Sequence, residues 1–212
     1  MLNYTSDMIP FSLSEKNVLD VGCGGGGQEA YYYGKLKGAR ITGLDISLSS
    51  VLAASEMSKR HKIDFNGLVS LAENLPFRSS SFDFVIAYKL LYHLDDPWEA
   101  ISEILRVSSR GFTFFEPSES LLAKLVFNLG ILREEKRGNL PPFRFEEKKL
   151  RAFLTNCGVS HFEIRKILNI PGKLYFGKFG KVTKFLASEA SLKVQNRLLG
   201  RFGNYLQVLV LK

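Results

Sequence analysis

Five glycines fall within the six positions Gly22-Cys-Gly-Gly-Gly-Gly27, directly after the apolar run Val18-Leu-Asp-Val21. Without side chains the backbone there can take positive φ, and a ligand can lie against the main chain itself. A helix expected over 28–37 would aim its unpaired N–H groups and the positive end of its dipole at that ligand. Gly22, Gly24 and Gly27 satisfy G-x-G-x-x-G, which allows a dinucleotide without choosing it over other nucleoside cofactors. Asp45 closes the alternating pattern Ala39-Arg-Ile-Thr-Gly-Leu-Asp-Ile46, and an acid at that point hydrogen-bonds a ribose diol in either case. A second group, Tyr88, Tyr92 and His93, follows a further strand pattern at the edge where open α/β sheets bind ligands. His93 is the candidate general base, against the competing reading of a structural or substrate-contacting histidine.

These groups need a sheet to carry them. Strands are expected near 17–21, 39–46, 67–72, 81–88 and 110–115, alternating with helices over 28–37, 47–61 and 96–107. Ser47 is a suitable N-cap, and Asp96-Pro-Trp-Glu99 combines an acidic N-cap with proline at the first helical position. Trp98 is expected at the helix entry or in the core, and His61 as a solvated residue at a helix end. Beyond residue 117 the pattern continues with an amphipathic helix over 119–132, a charged loop to 145 and a helix over 146–156. A strand over 159–167 and a last, antiparallel edge strand over 205–211 complete it.

The bounds are ordinary. A chain of 212 residues with 45% apolar composition buries one core, so a single domain over 1–212 is expected. Two cysteines, Cys23 and Cys157, make neither a disulfide framework nor a metal cluster, and a reducing, cytoplasmic setting follows as the default. No apolar run reaches membrane-span length, and no signal peptide is evident at the start. The leader residues Tyr4, Met8 and Phe11 either line a substrate pocket or pack on the surface.

Asp20-Val-Gly-Cys-Gly-Gly-Gly26, Gly43-Leu-Asp-Ile46, Ala72-Glu-Asn-Leu-Pro-Phe77, Ser81-Phe-Asp-Phe-Val85 and Glu103-Ile-Leu-Arg-Val107 occur in this order and spacing. As a set they resemble the class I S-adenosylmethionine-dependent methyltransferases, in particular the branch with quinone-biosynthesis and small-molecule enzymes. The resemblance covers residues 16–117, about half of the chain. It implies an α/β, Rossmann-like class I methyltransferase fold: a mostly parallel seven-stranded sheet with helices on both faces and an antiparallel last strand. It also implies S-adenosyl-L-methionine as cofactor. Asp20, Gly22 and Gly24 would hold its methionine end, with Cys23 and Gly26 in the same turn. Asp45 would hold the ribose, Ile46, Ala72 and Glu73 the adenine, and the main chain near Tyr88 the methionine amino group. Tyr88, Tyr92 and His93 would meet the acceptor, with Tyr31 to Tyr33 close enough to wall its pocket. No metal is required.

One position departs from the family. Relatives carry an acid just before the Ala-Glu pair, facing the adenine amino group, and Leu71 stands there instead. The acceptor is expected to be a small molecule or lipid-like, because the signatures of base-amino methylation and the cysteines of pyrimidine-carbon or arsenite methylation are missing. Residues 118–145 and 169–203 would be lid or substrate-specificity insertions. The second holds seven basic residues against one acid, Glu189, and so carries most of the net charge of +8. A lid with a solvated basic face, an anionic surface and nucleic acid compete for it. An RNA-directed methyltransferase, a cofactor-binding module without catalysis and a nicotinamide dehydrogenase are the other functions considered.

Overall fold

The computed structural model describes residues 8–119, 143–167 and 203–212. Seven strands form one sheet: β1 (Asn17–Val21), β2 (Arg40–Asp45), β3 (Phe65–Val69), β4 (Phe84–Tyr88), β5 (Gly111–Pro117), β6 (His161–Ile167) and β7 (Tyr205–Leu211). Their order across the sheet is β3-β2-β1-β4-β5-β7-β6. β7 runs antiparallel to both of its neighbours, and the pairs among β1 to β5 are parallel. The expected antiparallel last strand is therefore present, but it is not at the edge. It is inserted between β5 and β6, which suits its run of buried residues from Leu206 to Val210.

The helices are α1 (Ala30–Leu36), wound as a π-helix, α2 (Leu48–Arg60), α3 (Pro97–Val107) and α4 (Glu147–Asn156). Ser47 caps α2 by accepting a hydrogen bond from the Ser50 amide, and Asp96 caps α3 by accepting one from Trp98. Two apolar layers sandwich the sheet. One joins Leu19, Val21, Val85 and Phe114 to α3 and α4, with Trp98 against Phe143, Phe145 and Phe153. The other joins Val18, Ile41, Phe84 and Ile86 to Tyr32 and Tyr33 of α1.

Several boundaries shift. β3 begins at Phe65 rather than Gly67 and stops at Val69, because its register with β2 pairs Ile41 with Phe65 and Asp45 with Val69. Ser81 to Asp83 lie outside β4, with only an isolated bridge from Phe82 to Ser108. Met8 is buried in the α1-side layer, and Phe11 packs edge-on against Phe84 with the Arg110 guanidinium over its ring at 3.9 Å. Phe84 and Arg110 stand where β4 and β5 begin, so Phe11 sits at the opposite end of the strands from the glycine turn and does not line a pocket there. Tyr4, the helix over 119–132 and nearly all of 169–203 lie outside the described residues. The last residues of the 118–145 segment belong to the core: Phe145 is fully buried and bridges to Ser118. Among the described residues no helix is long and apolar enough to cross a membrane.

Candidate cofactor and acceptor site

The carboxyl ends of β1, β2, β4 and β5 bring the predicted residues to one edge. Gly22 has φ +76°, and the Leu90 side chain occupies the space a Cβ would need, 2.8 Å away at its nearest atom. Gly24 has φ +56° and nothing within 4 Å of a Cβ position, so its open side can receive a ligand. Asp45 holds this turn from β2: its Oδ2 accepts from the Gly24 amide at 3.0 Å and its Oδ1 from the Ser47 amide at 2.9 Å. Each carboxylate oxygen keeps a second lone pair for a ribose hydroxyl. Cys23 turns its side chain beneath Gly43, and burial together with the charges of Asp20 and Asp45 pushes its thiol up to about 12. Only its backbone can face a cofactor.

Asp20 is buried at the end of β1, and its Oδ2 has no hydrogen-bond partner among the described residues. Burial, then Glu29 and Asp45, hold its carboxyl well above the usual range. Glu29, just ahead of α1, is raised as well, chiefly by burial and against the pull of Lys89. A cationic ligand would relieve both acids. Glu29 escaped the sequence reading because nothing local marks it; only its approach to Asp20 does.

On the acceptor side, the Tyr88 hydroxyl meets that of buried Tyr33 at 2.7 Å. Tyr88 is paired in register with Phe115, and Phe115 with Gln207, so the three side chains share the α1 face of the sheet. Phe115 stacks on Tyr205 with ring centroids 4.7 Å apart. Of the three tyrosines on α1, Tyr33 therefore reaches the site, while Tyr31 turns away to pack on His61. Phe115, Tyr205 and Gln207 were not expected here, since β7 was placed at the edge.

Leu91–His93 form a 3₁₀ turn directly after β4. Tyr92 is buried, and His93 is exposed with its ring tilted against Tyr92 at 3.8 Å. The turn is fixed from below by Glu116, fully buried in β5, which accepts from the amides of Leu90 (2.8 Å), Leu91 (2.9 Å) and Tyr92 (3.3 Å). Burial pushes this carboxyl up to about 8, against the three amides that pull it down. Ala72 is buried and Glu73 half-buried beyond the end of β3. That segment is clamped to α3: Glu103 accepts from the Leu75 amide, while Arg106 donates to the carbonyls of Leu75 and Phe77. Two of the sequence motifs are thus one structural joint.

The profile of the family described as "Methyltransferase domain" matches residues 19–115. An O-methyltransferase of Aspergillus nomiae is 30% identical over 169 residues, which is 76% of this chain and 72% of that protein. The chain belongs to the class I S-adenosylmethionine-dependent methyltransferases. S-adenosylmethionine is the cofactor that this membership assigns to it. A methyltransferase of the same kind, the ubiquinone biosynthesis O-methyltransferase of Nitrosomonas europaea, is 34% identical over 119 residues, 54% of this chain and 48% of the relative. The magnesium protoporphyrin IX methyltransferase of Synechocystis, solved with bound SAH, shares the methyltransferase fold at TM-score 0.70 and 16% identity. That likeness covers 99% of this chain and 80% of the other. The chain spans about a third to a half of the length of the first curated methyltransferases it matches.

Proposed function

We propose that this chain transfers the methyl group of S-adenosylmethionine to a small-molecule or lipid-like acceptor at the edge formed by Gly22, Asp45 and Tyr88. The observation that carries the reading is the bond from the Gly24 amide to Asp45, which holds the open glycine turn and the ribose-type acid in one frame. The residues fit the cofactor: an unpartnered buried carboxyl at Asp20, an open side at Gly24 and spare lone pairs on Asp45. In this reading Asp20 and the turn from Gly22 to Gly26 take the methionine end, Asp45 the ribose, and Ile46, Ala72 and Glu73 the adenine. The cofactor supplies a methyl on a sulfonium centre, which is displaced in line. The protein's part is to align donor and acceptor and to exclude water.

Tyr88 stands where donor and acceptor would meet, its hydroxyl fixed by Tyr33. Tyr88 and Tyr205, half-buried on either side of the buried Phe115, offer an acceptor aromatic rings. His93 takes the proton of an acceptor that must lose one. The Nitrosomonas relative, whose name places it in ubiquinone biosynthesis, supports an acceptor of small-molecule size.

The test is calorimetric titration of the purified protein with S-adenosylmethionine and S-adenosylhomocysteine. Binding near micromolar is expected, about −8 kcal/mol. Asp45→Ala, checked for folding by circular dichroism, should lose most of that affinity. Unchanged affinity in the folded variant would refute the assignment.

A further inference from the structure

Of the eight large apolar side chains exposed among the described residues, six are Ile46, Leu48, Leu52, Leu68, Val69 and Leu71. Ile46, Leu48 and Leu52 lie just past β2 and in the first turns of α2, and Leu68, Val69 and Leu71 at the end of β3 and just past it. Val69 lies opposite Asp45 in the β2–β3 register, and the Ser70 amide donates to the Asp45 carbonyl. Ile46 and Leu71, 70% and 51% exposed, are therefore the next residues beyond the acid that would hold a ribose. A base attached to that ribose would meet apolar side chains first. No carboxylate occurs from Ile46 to Ser50 or from Leu68 to Ala72. The first acid after that, Glu73, follows the buried Ala72.

Exposed apolar side chains are individually unremarkable, but Ile46, Val69 and Leu71 flank the polar frame of Asp45, where a ligand would cover them. Its chemistry also decides what it can refuse. A site that hydrogen-bonds a substrate amino group rejects analogues lacking it by several powers of ten, because its own polar group is left unpaired. An apolar site leaves that edge of the ligand in water and discriminates weakly.

We propose that the cofactor's adenine lies on these apolar side chains by its ring faces alone, with Leu71 as the specificity-determining residue. The site then accepts S-nucleosylhomocysteines that differ at position 6 of the purine. This inference rests on the cofactor reading above. In that pose position 6 would lie beside the Leu71 side chain, where no carboxylate would meet either the amino group or its replacement.

The experiment is calorimetry with S-adenosylhomocysteine, its N6,N6-dimethyl analogue and the analogue carrying hydrogen at position 6. All three should bind within about tenfold of one another. Leu71→Asp should tighten S-adenosylhomocysteine and weaken each analogue relative to it by at least tenfold. A loss of 100-fold or more for both analogues in the unsubstituted protein would overturn the inference while leaving the cofactor reading intact. Failure of S-adenosylhomocysteine itself to bind the folded protein would instead remove the cofactor reading, and this one with it.

Discussion

Two acids are buried at the same edge of the same sheet, and they are satisfied in opposite ways. Asp20, on β1, has an oxygen with no partner among the described residues, while Glu116, on β5, collects three consecutive amides. Burial raises both carboxyls. In the function proposed above, the difference separates a residue that holds the fold from one that would take a ligand. Glu116 does work that any molecule of the protein needs: it supplies acceptors to N–H groups that would otherwise be buried unpaired. Asp20 keeps one oxygen without a partner among the described residues, and together with Glu29 it makes a place for positive charge.

The largest expected effect is on stability at Glu116. Glu116→Ala strands the amides of Leu90, Leu91 and Tyr92, at a cost of about 3 kcal/mol. For a domain of this size the melting temperature should fall by roughly 10 °C, which scanning calorimetry will read. An unchanged melting temperature would erase the contrast with Asp20.

Next comes ligand affinity at Asp20. Asp20→Asn should cost about 1.5 kcal/mol or more of S-adenosylhomocysteine binding, roughly tenfold. The melting temperature of the unliganded variant should be equal or higher, because a strained carboxyl has been removed. A melting temperature lowered as much as that of Glu116→Ala would make both acids structural.

A pH series sharpens the comparison further. Glu116 binds its proton more tightly in the fold than in the unfolded chain, so the folded form holds more protons between the ordinary carboxylate range and about 8. Stability therefore falls as pH rises through that window. Asp20 contributes with the same sign until a cation binds. Urea midpoints should decline in the parent as pH rises from 5, and Glu116→Gln should remove the part of the decline that levels off near pH 8. Binding of S-adenosylhomocysteine, whose ammonium would restore the charge on Asp20, should release protons. Calorimetry in two buffers of different ionisation enthalpy measures that release.

The smallest effect is expected at a third acid of opposite sign. Glu103 sits nearer the surface, and its hydrogen bond from Arg106 lowers its carboxyl. Its contribution is present above the unfolded value and is lost as pH falls through the lowered one. Arg106→Ala should cost about 1 kcal/mol, visible as a shifted urea midpoint.

What could be read from the sequence was whatever chemistry writes locally. The glycine turn, the Ser47 and Asp96 caps and Asp45 at a strand end each announce themselves within a few residues. Glu116 was visible only as the end of a strand, because its partners lie about 25 positions earlier and meet it only through the β4–β5 pairing. Glu29 and the Tyr33–Tyr88 contact were hidden for the same reason. β7 was misplaced because an apolar run shows that a strand is buried without showing which neighbours bury it. The clamp between Glu103, Arg106 and Leu75 had been present as two separate motifs, and only the fold makes them one.

The position of β7 also has a temporal meaning. Among the described residues β6 is hydrogen-bonded to β7 alone, and β7 follows it in the chain. A ribosome that has delivered Ile167 has made a strand with nowhere to dock. The growing chain must hold Phe162 and Ile164 unpaired until the residues from Tyr205 onward emerge and slide between two strands already synthesised. Sheet closure is thus a late, long-range event, and the interval before it is when this protein is most exposed to association with other unfinished chains.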